Sequence, residues 1–341
     1  MRRAYLAALL WVILGACGAE EPERQAPELQ ASVTEPAPPI PVWLDVDPAI
    51  GIENGEVDDG LAMIQAFHSP EIAVRGVSVV YGNTTFENAV PIARELVERF
   101  GAPGLGVFPG AADAAQLGVE TEAVRALASA LERERLTVLA LGPVTNVGSL
   151  LRLRPELAER IDRVVVVAGR RIGQSFRVPG GTHTPFRDFN FELDPVAMQV
   201  ILESSVPLEL APWEVSSHVW LRAEDMAALA ERSDSGRFVA ERTASWLARW
   251  KQNLDADGFN PFDTLAVGWV THPTMIEWSE VAVWIEEGED DVSPGSGARK
   301  PYLLVDPERD GGRRARYAHR PMSEFQALLV DRLAGPPVAQ P

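Results

Sequence analysis

The chain is short of the residues that build thiol and soft-metal chemistry, with one cysteine, Cys17, and five scattered histidines among 341 residues. A single cysteine excludes an internal disulfide framework and any multi-cysteine zinc site. Positive charge is scarce as well: 31 Lys and Arg face 49 Asp and Glu, a formal charge of −18. That balance argues against a nucleic-acid partner, which needs a basic footprint on the protein. Long apolar runs are absent too. The N-terminal run from Ala4 to Leu14 falls short of the roughly 20 residues that span a bilayer. What is present is 46% hydrophobic residues, enough for a substantial core.

Residues 1–17 carry two arginines, the short apolar run and small residues ending at Cys17, the pattern of a secretion signal. Leu14-Gly15-Ala16-Cys17 resembles the lipobox of bacterial lipoproteins, in which the cysteine becomes the lipidated first residue. This implies an exported protein anchored at Cys17, periplasmic or on the cell surface, touching the membrane only through lipid. Residues 18–41 hold six prolines and five glutamates with few large apolar side chains, a composition that reads as a disordered tether. Residues 42–333 read as one globular domain, and 334–341 as a disordered tail.

Within that domain, β-branched runs alternate with helical patterns. Val42 to Val46, Ile72 to Val80, Leu136 to Leu141, Arg163 to Ala168 and Leu208 to Ala211 read as strands. Helices are expected at Asp58 to Phe67, Phe86 to Phe100, Asn146 to Arg152, Ala223 to Arg232 and Gly236 to Asn253. Val281 to Ile285 and Tyr302 to Val305 suggest later, antiparallel edge strands. The alternation implies an α/β fold, a single domain with a mostly parallel, Rossmann-like central sheet flanked by helices. Ligands bind beyond the carboxyl ends of such strands.

Carboxylates gather at those ends. The first strand runs into Asp45-Val46-Asp47-Pro48, and Asp58-Asp59 opens the next helix. Helix capping explains one of these acids but not four converging. A hard cation with oxygen ligands does, since it cancels their mutual repulsion. An EF-hand loop starting at Asp45 fails, because its fifth position is Ala49 and its glycine falls one place late, at Gly51. A haloacid-dehalogenase phosphatase would also begin with D-x-D, but no later lysine followed by a G-D-x-x-x-D-like segment is present.

The stretch Asp45-Val-Asp47-Pro, followed by Val57-Asp58-Asp59-Gly-Leu-Ala, resembles the D-x-D-P-G-x-D-D-A signature of the nucleoside hydrolases of the inosine/uridine-preferring type. Gly76 to Asn83, Leu139 to Asn146, Thr184 to Pro195 and Phe262-Asp263-Thr-Leu-Ala match four further family segments in order. The resemblance implies calcium-dependent hydrolysis of the N-glycosidic bond of a ribonucleoside, with the metal holding water and the ribose hydroxyls. Its implied ligands are Asp47, Asp59, Asp263 and the Leu141 carbonyl, with Asp47 also the general base. Asp58, Asn83, Asp188 and Asn190 are the implied sugar-binding residues, and Phe262 borders the base. Family members are usually homodimers or homotetramers, so the resemblance points to one of these here. Plainer roles compete: Asn83 and Asn146 as turn or cap residues, Asp194 as the cap before Pro195, Trp246 and Trp250 as a buried stripe, His183 as an exposed loop residue.

The chain departs from the family in four places. Ala49 to Val57 is longer than the two residues usual there, Asp188 stands for a glutamate, and Thr182 stands where an asparagine is frequent. Phe262 replaces a histidine that protonates the leaving base in many members. Purine-specific members put an aromatic residue at this position and stack the base between rings, so a purine nucleoside is expected. The competing reading is a calcium-dependent riboside-binding lipoprotein with little or no catalysis.

Overall fold

The computed structural model describes residues 38–178 and 183–337. Cys17, the signal segment, residues 18–37 of the tether, Thr182 and residues 338–341 lie outside the described residues. Strand β1 (Ile40–Val46) begins inside the segment whose composition reads as tether. Its buried Val42, Leu44 and Val46 alternate with Trp43 and Asp45, which face the other side of the sheet.

In chain order there follow α1 (Asp58–Phe67), β2 (Ile72–Val79), α2 (Phe86–Phe100), β3 (Val107–Pro109), α3 (Glu122–Arg133), β4 (Leu136–Ala140), α4 (Thr145–Leu153) and β5 (Ile161–Val166). Next come β6 (Arg170–Arg171), α5 (Phe189–Leu193), α6 (Pro195–Glu203), β7 (Leu208–Leu210), α7 (Trp213–Ser216), α8 (Ala223–Arg232) and α9 (Asp234–Leu254). The last are α10 (Thr264–Thr271), β8 (Ile276–Glu289), β9 (Arg299–Asp306), β10 (Arg313–Pro321) and α11 (Phe325–Leu333).

Ten strands form one sheet in the order β3-β2-β1-β4-β5-β7-β10-β8-β9-β6. Pairing is parallel from β3 through β10 and antiparallel from β10 through β8 to β9. The two late strands expected at an edge are therefore antiparallel, but β6 pairs parallel to β9 and is itself the outermost strand. One core lies between one sheet face and α1, α2, α9, α10 and α11; the second packs α3, α4 and α6 on the other face. Trp43 belongs to the second core, where it stacks on Phe108 with ring centroids 5.6 Å apart. Among the described residues no helix is long and apolar enough to cross a membrane.

This topology brings the carboxyl ends of β1, β2, β4 and β5 to one edge. The Asp47 turn, the Asn83 turn and the Gly142-Pro143 turn follow β1, β2 and β4 there.

Candidate active site

Asp47 follows the last residue of β1, and no part of it is exposed. Its backbone N–H donates to Asp59 Oδ1 at 3.0 Å, and its Oδ2 accepts the backbone N–H of Asn83 at 2.7 Å. The Asn83 side chain donates to Asp59 Oδ2 at 3.1 Å. Asn83 therefore ties two carboxylates together, more than a turn or cap role requires. Gly82, at φ +156°, allows this approach: a Cβ there would stand 1.8 Å from Asp47 Oδ2.

Asp58 and Asp59 occupy the first turn of α1, and Asp263 directly precedes α10. One carboxylate oxygen of each lies within 4.8 Å of those of the other two, and all three residues are buried. Burial first, and then neighbouring carboxylates, push Asp47, Asp58 and Asp263 well above the ordinary carboxylate range. Asp59 is raised by burial while hydrogen bonds from Asp47 and other neighbours pull it back. Asp47 Oδ1, Asp58 Oδ1 and Asp263 Oδ2 are buried without a hydrogen-bond partner. Buried oxygens of this kind, converging and unpartnered, fit a hard cation. Asp58, which the resemblance implies binds the sugar, lines the cavity and also belongs to the tight acidic triad, while Asp47 is bonded to Asp59.

The Leu141 carbonyl accepts from Asn190 Nδ2, which also donates to the Val167 carbonyl at 3.3 Å. A carbonyl oxygen has two lone pairs, so this bond leaves one for a metal. Asp188 Oδ2 accepts the Gly169 N–H at 2.9 Å. Its carboxyl is pushed up to about 6 by burial, against the pull of the Arg170 charge.

Above the acids opens a cavity of about 580 Å³, lined by Asp58, Asn83, Asp188, Asn190, Phe262 and Asp263 among others. Asp47 and Asp59 lie behind this lining. Much of the remaining lining is aromatic. Trp250 stands 6.2 Å from Phe262, 5.7 Å from Phe186 and 6.2 Å from Trp246, measured between ring centroids. Trp213 and Phe176 extend it. Trp246 and Trp250 are thus both a buried stripe of α9 and part of the cavity wall.

His183 lines the cavity too, but its ring is engaged. Nε2 accepts the Val178 N–H at 3.1 Å, so Nδ1 carries the proton and donates to the Thr184 carbonyl at 2.7 Å. Asn146 is structural: Oδ1 accepts the Ala111 N–H at 2.8 Å and Nδ2 donates to Asp45 at 2.8 Å. Asp194 caps α6 by accepting the Ala197 N–H at 2.9 Å.

Glu56 is a cavity residue that the motif pattern did not mark. It sits in the long loop before α1, and burial together with Asp59 pushes its carboxyl up to about 7. That loop is fastened to α9: the Asn54 N–H donates to Ser245 Oγ at 3.3 Å and Arg249 donates to the Asn54 carbonyl at 2.5 Å. The only sequence signal for Glu56 was its place in a segment longer than the family pattern.

The family model described as inosine-uridine preferring nucleoside hydrolase matches residues 42–314. The pyrimidine-specific ribonucleoside hydrolase RihA of Klebsiella pneumoniae is 26% identical over 277 residues, covering 72% of this chain and 84% of that protein. The non-specific ribonucleoside hydrolase RihC of Escherichia coli is 25% identical over 278 residues, covering 73% and 85%. A solved plant nucleoside hydrolase aligns with a TM-score of 0.71 at 20% identity, over 88% of this chain and 100% of the other. A purine-preferring ribonucleoside hydrolase from Gardnerella vaginalis aligns at 0.69 and 20%, over 86% and 98%. The fold is that of the nucleoside hydrolases.

Proposed function

The chain belongs to the inosine-uridine preferring nucleoside hydrolase family, enzymes that cleave the N-glycosidic bond of ribonucleosides, and from that premise we propose that it does so with calcium and with a preference for purine nucleosides. The observation that carries the reading is that one cavity is lined both by a buried carboxylate cluster with unpartnered oxygens and by a set of aromatic rings.

Asp47, Asp59, Asp263 and the Leu141 carbonyl would hold the ion, all hard oxygen donors, with Asp58 close by. Bound calcium supplies an oriented, acidified water and a grip on the ribose hydroxyls. Asp47 accepts the proton of the attacking water; Asn83 fixes its Oδ2 and leaves Oδ1 free for that task. Asp58, Asn83, Asp188 and Asn190 bind the sugar hydroxyls, and the local negative potential stabilises the oxocarbenium-like transition state.

Phe262 has no proton to give, and both nitrogens of His183 are occupied. The leaving base would instead stack on the aromatic surface that Phe262 and the Trp250 ring system form together, and stacking raises the base's own affinity for a solvent proton. Large, flat purines gain most from such a wall, which supports the purine preference. The lipobox-like sequence at Cys17 supports an exported, lipid-anchored protein that salvages nucleosides outside the cytoplasm, and the family supports a homodimer or homotetramer.

The test is a panel of purine and pyrimidine ribonucleosides assayed for free base and reducing sugar, with and without chelation of calcium. Purine turnover that stops on chelation is expected. Asp47→Asn should lower kcat by about 10²-fold or more, the scale of general base catalysis. Pyrimidine-selective or chelator-insensitive turnover would refute the respective part.

A further inference from the structure

We propose that Lys300 and Arg170 are positioning residues for Asp188, so that the β8–β9 hairpin, far from the motif segments in sequence, is a working part of the ribonucleoside site. This rests on the reading of Asp188 as a sugar-binding residue.

The segment from Ile172 to Asp188 supplies a large share of the cavity lining, yet its described residues contain no helix or strand. Both ends of it are fastened to the same hairpin by charge. At one end Arg170 donates to Asp291 Oδ2 at 2.8 Å, and its guanidinium lies 4.0 Å from the centre of the Phe176 ring, a cavity residue. At the other end Arg187 reaches Glu192 Oε2 at 2.5 Å and Asp290 Oδ2 at 3.1 Å. Lys300 closes the set, 2.6 Å from Glu192 Oε1 and 2.8 Å from Asp291 Oδ1.

Asp188 is held within this cluster from two sides. Its backbone N–H donates at 3.1 Å to Glu192 Oε1, the same oxygen that takes Lys300 Nζ. Its Oδ2 takes the N–H of Gly169, the residue before Arg170. Arg170 and Lys300 both favour the ionised form of Asp188 against its burial. Both cations are almost fully buried, at 2% and 6% exposure. Buried ion clusters are poor sources of stability, because desolvation offsets their attraction. Three cations and three anions, joined to Asp188 through its backbone N–H and through Gly169 beside Arg170, are better accounted for by placement of that residue than by strength of the fold.

The experiment is a double-mutant cycle on the full chain, measuring kcat, KM and the dissociation constant of a slow or product ligand by tryptophan fluorescence. Lys300→Met should lower kcat/KM for inosine roughly tenfold, the size of coupling found within one polar network. In an Asp188→Asn background the same substitution should cost no more than about twofold. Lys300→Arg, which keeps the charge, should restore most of the loss. Lys300→Met combined with Asp291→Asn rebalances the cluster and guards against loss of folding; it should recover thermal stability without recovering kcat/KM. A penalty of equal size in both backgrounds, or full recovery of kcat/KM by the rebalanced pair, would overturn the inference. Wild-type protein without ribonucleoside turnover would instead overturn the functional reading beneath it.

Discussion

Removal of the proposed calcium should make the stability of this protein depend on pH, with alkaline conditions the less favourable. Carboxylate oxygens of Asp58, Asp59 and Asp263 lie within 4.8 Å of one another. At an effective dielectric near 20, two unit charges at that separation repel by about 3.5 kcal/mol. Three such pairs rival the whole stability of a typical domain, about 5–15 kcal/mol, so the apo cluster must hold protons. Asp45 and Glu56 add to this, each pushed to about 7, chiefly by burial. A folded-state pKa raised above its unfolded value means that the folded state binds more protons at intermediate pH. Stability therefore falls as pH rises from the unfolded values near 4 through the raised folded values, which for Asp45 and Glu56 are about 7, by about 1.4 kcal/mol per unit for each group that holds its proton only in the folded state. The assay is thermal unfolding between about pH 5 and pH 8.5, with chelator and with saturating calcium. With chelator, Tm should fall steadily across that range. Calcium at about 100 times its dissociation constant should add roughly 2.7 kcal/mol and flatten the slope. A chelated protein whose Tm is flat or rises towards alkaline pH, or one whose Tm ignores calcium, would refute the charge argument.

Gly82→Ala should cut kcat at least tenfold with a smaller change in KM, because the added methyl meets Asp47 Oδ2 at 1.8 Å; steady-state kinetics on inosine checks it. Phe262→Ala should raise KM for purine nucleosides, while Phe262→His should raise turnover of pyrimidine nucleosides by supplying a proton donor, both read from the nucleoside panel. Glu56→Gln should shrink the alkaline loss of Tm in the chelated protein, since Glu56 is the largest charge acting on Asp58; an unchanged slope across pH would count against that coupling.

The parts of the fold legible in the sequence were those whose pattern is local. Helices α1, α2 and α8 begin and end where their apolar periodicity does, and the strand-like runs through β7 fall within two residues of observed strands. Strand β10 was not visible, because Arg313-Arg314-Ala315-Arg316 reads as a solvated loop. In the sheet, Ala315 and Tyr317 turn into the core, and Arg316 finds Glu209 at 3.0 Å on the parallel neighbour. That partner is remote in sequence, so no window contains the information. Helix α10 was hidden for the opposite reason: Thr264 to Thr271 are all buried and leave no polar face to mark the period. The site divides the same way. Acids at strand ends could be read off, whereas the membership of Asp58 in the triad, the intrusion of Glu56 and the Lys300 cluster depend on loops meeting across the fold.

The two aspartates of the opening motif show how partner chemistry separates function from scaffold. Asp45 and Asp47 are both wholly buried and only two residues apart. Asp45 Oδ1 takes Asn146 Nδ2 and Ser78 Oγ, and Asn146 in turn takes the Ala111 N–H, so this acid stitches β1 to β2, α4 and the segment after β3. Asp47 Oδ2 takes the Asn83 N–H, its carboxyl meets that of Asp59, and Oδ1 has no hydrogen-bond partner. The space around it is kept by two glycines. A Cβ on Gly142 would lie 2.7 Å from Asp47 Oδ1, and one on Gly82 would lie 1.8 Å from Oδ2. The Gly-Asn turn after β2 and the Gly-Pro turn after β4, separate motifs in the sequence, are thus one device in space. Each lacks a side chain for the same reason: a Cβ on Gly82 would block the Asn83 N–H that holds Oδ2, and one on Gly142 would crowd the unpartnered Oδ1.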